Sequence, residues 1–166
     1  SEVYPRTRTS TAFAIRGRYF LESRTALNGG IRFYNDSWGI ESTTLEAGYT
    51  WPYQDRWIFE ASLRFYDQQK ADFYNDLFPF ESAQNFLARD KELSTFQSIT
   101  LGGGLSYELN SSNWSWIERG SLNFYLDHII FEYDDFRDLT VSADAGNEPL
   151  YSFDANVIRA FVSFWF

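Results

Sequence analysis

The sequence predicts an all-β fold, an antiparallel transmembrane β-barrel of the outer-membrane type. Aromatic residues make up 20% of the chain, although the chain as a whole is not hydrophobic. Strand-length segments alternate apolar and polar residues, which places the two kinds on opposite faces of a sheet. The chain also ends on such a segment, in which Val162, Phe164 and Phe166 share one face. A barrel wall produces this mixture because one face meets lipid and the other lines a lumen.

Composition excludes several other classes. No uninterrupted apolar run approaches the roughly 18 residues that a transmembrane helix needs. The absence of cysteine excludes disulfides, zinc–thiolate sites and thiol nucleophiles. The net charge of -9 argues against a nucleic-acid partner, which would select a basic surface. At 166 residues the chain is expected to form a single domain, a β-barrel segment spanning 1–166.

The first two strands, 11–22 and 27–34, form a predicted hairpin. Phe13 and Ile15 alternate with Arg16 and Arg18 in the first, and Ile31 alternates with Arg32 in the second. In both strands these apolar residues have odd numbers, and a tight connection near Ser23 joins the strands. This pattern predicts that Ile15 pairs with Ile31 and Leu21 with Thr25. The arginines then share one polar face.

The third and fourth strands, 42–51 and 57–66, flank a turn at 52–56. Trp51 and Trp57 lie on the apolar side of this turn, as in the aromatic belts at membrane interfaces. The polar sides carry Glu46 in one strand and Glu60, Arg64 and Tyr66 in the other. Parity predicts that Glu60 faces Gly48 and that Arg64 faces Thr44, which gathers Glu46, Glu60 and Arg64 in one patch.

Three further strands complete the chain, at 98–108, 121–130 and 155–166. The last carries Arg159 on its polar side, and its apolar residues Val162, Phe164 and Phe166 match the terminal assembly signal of outer-membrane barrels. Two long acidic segments, about 67–94 and 132–152, lack periodicity and are predicted to be extracellular loops, because such barrels alternate short periplasmic turns with long outer loops.

Seven strands are an odd number, whereas bacterial single-chain barrels have an even number. We therefore expect these strands to be the C-terminal part of a larger barrel, with the missing strands upstream or on another chain. This arrangement predicts a bacterial outer-membrane location, contact with outer-membrane lipid and recognition by the barrel-assembly machinery.

The segments 32–40, 64–66 and 71–74 (RFYNDSWGI, RFY and ADFY) resemble an uncharacterised bacterial family, a domain of unknown function. The similarity covers the first half of the chain and lies near the C-terminal end of the family. Its members look like outer-membrane barrels, and the resemblance implies a full-length protein longer than this chain.

The predicted lumen-facing residues carry the candidate chemistry. They are Arg16, Arg18, Arg32, Glu46, Glu60, Arg64, Tyr66 and Arg159. They either line a pore and set its ion selectivity or pair with one another in a closed lumen, since a buried charge must be paired or hydrated. The second interpretation is favoured.

The loops and the single histidine add alternatives. Asp134, Asp135 and the segment 144–148 offer oxygen ligands for Ca²⁺, but the spacing of a calcium loop is missing, so solvated loops are favoured. The phenylalanines of 77–80 are predicted to fold over the barrel mouth or to meet a protein partner at loop 67–94. His128 is predicted on the lipid side, with Ser152 outward on a neighbouring strand.

The sequence therefore predicts a non-enzymatic outer-membrane barrel protein that serves as a pore, a scaffold or an anchoring component, without a metal or another cofactor. Two alternatives stay open. An outer-membrane hydrolase would need His128 or the patch of Glu46 and Glu60, and a soluble β-sandwich binding module would need no membrane.

Overall fold

Seven antiparallel strands, each paired with the next along the chain, form one sheet. The computed structural model describes residues 2–75, 88–109, 116, 118–140 and 147–166. The strands are β1 (Ser10–Phe20), β2 (Ala26–Asp36), β3 (Glu41–Tyr53), β4 (Trp57–Gln68), β5 (Phe96–Leu109), β6 (Arg119–Arg137) and β7 (Leu150–Trp165). Their order in the sheet is β1 to β7. One 3₁₀ turn, Lys91–Leu93, precedes β5. The all-β antiparallel prediction is confirmed.

The sheet is open rather than closed into a barrel. Among the described residues β1 pairs only with β2, and β7 pairs only with β6, so both outer strands are edges. Seven strands were expected not to close a barrel by themselves, and the described strands form an open sheet; that they belong to a larger barrel stays a prediction. The part of the chain that the structure describes contains no helix long and apolar enough to cross a membrane.

Hairpin β1–β2 has the predicted register. Ile15 lies opposite Ile31, and the backbone N–H of Leu21 donates to the carbonyl of Thr25 at 2.8 Å. Arg24 adopts a φ of 63° in the connection, a left-handed conformation that closes the turn. Alternation on both strands was sufficient here because both sides of the hairpin are strictly periodic.

The register of β3–β4 differs from the prediction by two residues. Arg64 lies opposite Glu46 rather than Thr44, and Glu60 lies opposite Thr50 rather than Gly48. Strand β3 runs two residues further toward the turn than expected, to Tyr53, which pairs with Trp57, the predicted first residue of β4. Gln54 has a φ of 54°, a left-handed conformation with which residues 54–56 close the hairpin.

The two long connections begin and end elsewhere than predicted. Strand β4 continues to Gln68 and β5 begins at Phe96, while β6 continues to Arg137 and β7 begins at Leu150. The last hairpin is therefore longer than the alternation indicated. Aromatic pairing extends it, since the rings of Phe131 and Phe153 stack at 4.6 Å.

We name the two ends of the sheet by their connections. The turn end holds the short connections 21–25 and 54–56, and the loop end holds 37–40, 69–95 and 138–149. The two faces are named by composition. The apolar face includes Ile15, Leu45, Leu63 and Leu101, and the polar face carries Arg16, Glu46, Arg64 and Thr100.

Candidate functional site: the polar face and its cap

All the residues predicted to line a lumen lie on the polar face. Cross-strand pairing puts Arg16, Glu46 and Arg64 in one row, and Glu60 and Arg159 in another. Arg18, Arg32 and Tyr66 share the same face. That this face borders a lumen stays a prediction.

Ion pairs cross the strands at three places on this face. Nε of Arg64 lies 3.6 Å from Oε1 of Glu46, and Nη2 of Arg159 lies 3.5 Å from Oδ2 of Asp127. Nearer the turn end, Arg119 contacts Glu108 at 2.5 Å. All three arginine side chains are more than half exposed, so each pair contributes at most about 1 kcal/mol to stability.

Three arginines near the free edge of β1 have no such partner. Arg16 and Arg18 are on β1, Arg32 is on β2, and no carboxylate among the described residues contacts any of them. The residues across from Arg16 and Arg18 are Gly30 and Asn28, which offer no charge. This corner of the polar face is therefore a basic patch in an acidic chain.

Glycines form the floor of the polar face between β3 and β5. A Cβ at Gly102 would lie 2.6 Å from Oδ1 of Asp127 and would also meet Ser62, and one at Gly104 would lie 2.6 Å from the ring of Tyr125. Neighbouring polar side chains lie over these glycines. A cavity of about 280 Å³ remains above them, bordered by Arg18, Glu60, Asp127 and Arg159 among others.

The loop end of the polar face is covered by a small apolar core that we call the cap. It is formed by residues 37–40, 69–75 and 88–95. Its buried residues are Ile40, Ala71, Phe73, Tyr74, Ala88 and Leu93, with Tyr34, Trp38 and Phe136 packed against them. Periodicity could not have found the cap, because its residues come from connections; the dense aromatic content of 67–94 was the available signal.

Backbone and side-chain hydrogen bonds fix the cap to the sheet. The amide of Gln68, which is 5% exposed, donates to the carbonyls of Glu92 and Ser94 at 2.8 and 3.0 Å. The hydroxyl of Tyr74 donates to the carbonyl of Asp135 at 3.0 Å. The cap therefore joins the connection after β4 to the far strand β6.

Asp36 connects the N-terminal segment to the turn between β2 and β3. Its buried carboxylate accepts from Arg8 at 2.6 Å and from Tyr34 at 2.9 Å, and from the backbone of Trp38 and Ile40. Burial alone would raise the pKa of Asp36, but these hydrogen bonds outweigh it and lower the pKa.

The N-terminal segment lies along the cap. The indole of Trp38 donates to the carbonyl of Thr7 at 3.0 Å, and the guanidinium of Arg8 lies 4.6 Å from the Trp38 ring. Tyr4 packs edge-on against Phe73, with ring centroids 6.2 Å apart. The hydroxyl of Tyr4 donates to Glu2, which raises the pKa of Tyr4 to about 12. Residues 2–9 thus cover one side of the cap.

The predicted interfacial tryptophans lie together on the apolar face at the turn end. Trp51 lies 5.6 Å from Phe59, and Trp57 lies 4.6 Å from Tyr107. Tyr53 joins the group at 5.3 Å from Trp51. Aromatic rings thus form a continuous cluster across β3, β4 and β5.

The residues of the predicted assembly signal are exposed at the same end. Val162 and Phe164 lie opposite Leu122 and Gly120 on the apolar face. Phe166 is 81% exposed, and its ring stacks on Trp116 at 6.3 Å.

His128 lies on the apolar face with polar neighbours. Its Nδ1 is 2.8 Å from Oδ1 of Asn156, and its Nε2 is 3.8 Å from Oδ2 of Asp154. Ser152 is four residues from Asn156 along β7, a separation of about 13 Å. The histidine is therefore oriented by its neighbours, but Ser152 is not brought to it.

The described residues hold no group of three or more His, Asp or Glu placed to bind a metal ion. The phenylalanines of 77–80 and residues 144–146 of the acidic segment lie outside the described residues. The protein partner at loop 67–94 and the solvated state of the acidic loops stay predictions, and Ca²⁺ binding stays the alternative to the latter.

Comparison with known proteins gives one match, a family model. No curated protein and no solved structure matches the chain. The model described as "Protein of unknown function (DUF3570)" matches residues 1–125, which include strands β1 to β5, the cap and part of β6. The match covers most of the chain and includes the segments on which the sequence resemblance rests, so the chain belongs to the DUF3570 family.

Proposed function

We propose that this chain forms part of the wall of a β-barrel in the bacterial outer membrane, as a non-enzymatic scaffold or anchoring component. The observation that carries the proposal is an exposed apolar band that crosses all seven strands. Large side chains on it are exposed, including Ile15 at 58%, Leu101 at 52% and Ile158 at 65%. In water such a surface would be an aggregation site, whereas lipid would cover it.

The band runs diagonally across the sheet. On β1 its first residue at the loop end is Phe13, and the cross-strand row that starts there ends on β7 at Ser152. The first apolar residue of the band on β7 is Ile158, six residues further along. The band therefore shifts by one residue for each strand crossed.

This shift gives the tilt of the strands if the band is level in a membrane. One residue is about 3.3 Å along a strand, and neighbouring strands are about 4.8 Å apart, so the strands tilt by about 35°. Strands in closed barrels tilt by about 35–45°. On β4 the band runs from Trp57 to Phe65, about 26 Å along the strand and about 21 Å in height, close to the apolar band of an outer-membrane barrel.

The two free edges support a larger wall. Strand β7 has 16 residues, with only Asp154 and Arg159 charged and no proline, and such long edges normally pair or are protected. In lipid, unpaired backbone groups are too costly to persist. Strands upstream or on another chain would complete the wall next to β1 and β7.

The cap favours a scaffold over an open pore. Tyr34, Gln68 and Tyr133 belong to the polar face, and Gln68 and Tyr133 are only 5% exposed there because the cap and the neighbouring rings cover them. The loop end of the polar face is therefore obstructed. A pore would need the cap to move.

Lipid exposure of single tryptophans tests the proposal. Variants that keep only Trp57, or only Trp38, would be reconstituted in vesicles that contain brominated lipid. We expect strong quenching of Trp57, on the apolar face, and weak quenching of Trp38, in the cap. A chain that is monomeric without detergent, or equal quenching of both residues, would contradict the proposal.

Planar-bilayer recordings of the complete protein separate scaffold from pore. We expect no steady conductance while the cap is intact. An open channel in the unmodified protein would contradict the scaffold assignment and support a pore.

A further inference from the structure

A second cavity, of about 480 Å³, lies at the loop end between the polar face, the N-terminal segment and the segment before β5. It is of the size that small-molecule sites have. Four aromatic residues contribute to its walls, namely Tyr4, Tyr34, Trp38 and Tyr66. Aromatic walls with a few polar groups are typical of sites for small organic molecules.

Two hydrogen-bond donors in this cavity have no carboxylate or hydroxyl partner. Arg32 lies 6.0 Å from the Tyr34 ring and contacts no acid among the described residues. Ser42 is 9% exposed, lines the cavity, and its hydroxyl makes no hydrogen bond within the part of the chain that the structure describes. Among the described residues no buried side-chain nitrogen or oxygen lacks a hydrogen-bond partner, so the Ser42 hydroxyl is open to the cavity and can donate to a ligand.

The neighbouring polar groups in the cavity are already engaged. Arg8 pairs with Asp36, and Gln68 accepts from Tyr66 and donates to two backbone carbonyls. This leaves Arg32 and Ser42 free to bind an anionic group. Guanidinium and hydroxyl donors suit an oxyanion such as a carboxylate.

The cavity also carries negative charge, from Asp90 and Glu92. Asp90 accepts from the backbone N–H of Glu92 at 3.1 Å through one oxygen, and neither carboxylate forms an ion pair among the described residues. A ligand with an anionic group alone would meet these carboxylates unfavourably, whereas one that also carries a cationic group would not.

We propose that this cavity binds a small amphoteric organic molecule. Its carboxylate contacts Arg32 and Ser42, its ammonium group faces Asp90 and Glu92, and its apolar body packs against Tyr34 and Tyr66. The proposal does not depend on membrane insertion, because none of the residues that it uses lies on the apolar face.

Calorimetric titration of the detergent-solubilised chain tests this site with three matched probes. Phenylalanine carries both charges at neutral pH, 3-phenylpropionate carries only the anion, and phenethylamine carries only the cation. We expect phenylalanine to bind saturably. Each of the other two probes should bind at least about tenfold more weakly, because it lacks one charge-assisted contact.

Two variants identify the residues involved. Arg32→Gln is expected to weaken phenylalanine binding by about tenfold or more, and Ser42→Ala by about threefold. Arg16→Gln is the matched control, because Arg16 is on the same face without an acidic partner but does not line the cavity. Circular dichroism would establish that each variant is folded.

Three results would overturn the proposal. They are no saturable binding of phenylalanine to the folded chain, equal affinity for all three probes, and equal loss of affinity in Arg16→Gln and Arg32→Gln. The tryptophan-quenching experiment is unaffected by any of them, so this site and the membrane assignment fail independently.

Discussion

A charge in the middle of the apolar band is the sharpest perturbation of the proposed wall. Ala61 lies halfway between Trp57 and Phe65 on the apolar face, between Tyr49 and Gly103. With the tilt above, it is about 10 Å from either interface. Arginine at the midplane of a barrel wall costs about 2–4 kcal/mol, and near an interface about 0–1 kcal/mol. We expect Ala61→Arg to lower the free energy of unfolding by about 2–3 kcal/mol.

The control is Gln97→Arg, on the same face of the sheet but outside the apolar band, in a row of polar residues nearer the loop end. Gln97 lies between Asp67 and Glu132, so an arginine there should change stability by less than about 0.5 kcal/mol. Urea titrations of the protein in lipid vesicles, followed by tryptophan fluorescence, measure both variants. Ala61→Leu separates the effect of size from that of charge. If Ala61→Arg and Gln97→Arg have the same stability, the apolar face meets water and the wall proposal is wrong.

Three further experiments test contacts at the loop end and on the polar face. Because the pKa of Asp36 is lowered in the folded state, its stabilisation is present above the unfolded pKa and is lost as pH falls through the folded pKa. Asp36→Asn should therefore lower the free energy of unfolding by about 2 kcal/mol at pH 7 and by little in strong acid. Unfolding titrations of both proteins at a series of pH values would measure this. Gly102→Ala should lower the free energy of unfolding by about 1–2 kcal/mol, because the added methyl group crowds Asp127. Gly103→Ala should be neutral or stabilising, because nothing lies within 4 Å of the added carbon. Equal shifts of the melting temperature in the two variants would refute this. A double-mutant cycle on Glu46 and Arg64 should give a coupling below about 1 kcal/mol, because both side chains are exposed.

Periodicity predicted the strands and their faces well. Two-residue alternation is imposed by the pleat itself, so the polar side chains of β1 to β4 could be assigned to one face before any contact was known. The register of β1–β2 followed from its tight, periodic connection. In β3–β4 the same reasoning failed by two residues, because the backbone geometry of Gln54 decides where the hairpin closes.

The same reasoning did not predict the cap or the apolar residues on the polar face of β7. The cap brings together connections that are far apart in sequence, and alternation carries no information about them. On β7, Phe153, Val157 and Phe161 join Arg159 on the polar face. From Val157 to Trp165 the strand is therefore apolar on both faces except at Arg159 and Ser163. Its composition indicated one lipid-facing side only.

The contacts of the cap also impose an order on assembly. Tyr74 reaches the carbonyl of Asp135, and Nη2 of Arg89 reaches that of Arg137, so the cap depends on the end of β6, which is 61 and 48 residues later in the chain. Hairpins between neighbours form quickly, but such distant contacts carry the entropy cost of closing long loops. We therefore expect the cap to reach its full stability only after the end of β6 has paired. Protection of the Ala71 and Asp72 amides from hydrogen exchange would then report the last step of assembly rather than the first.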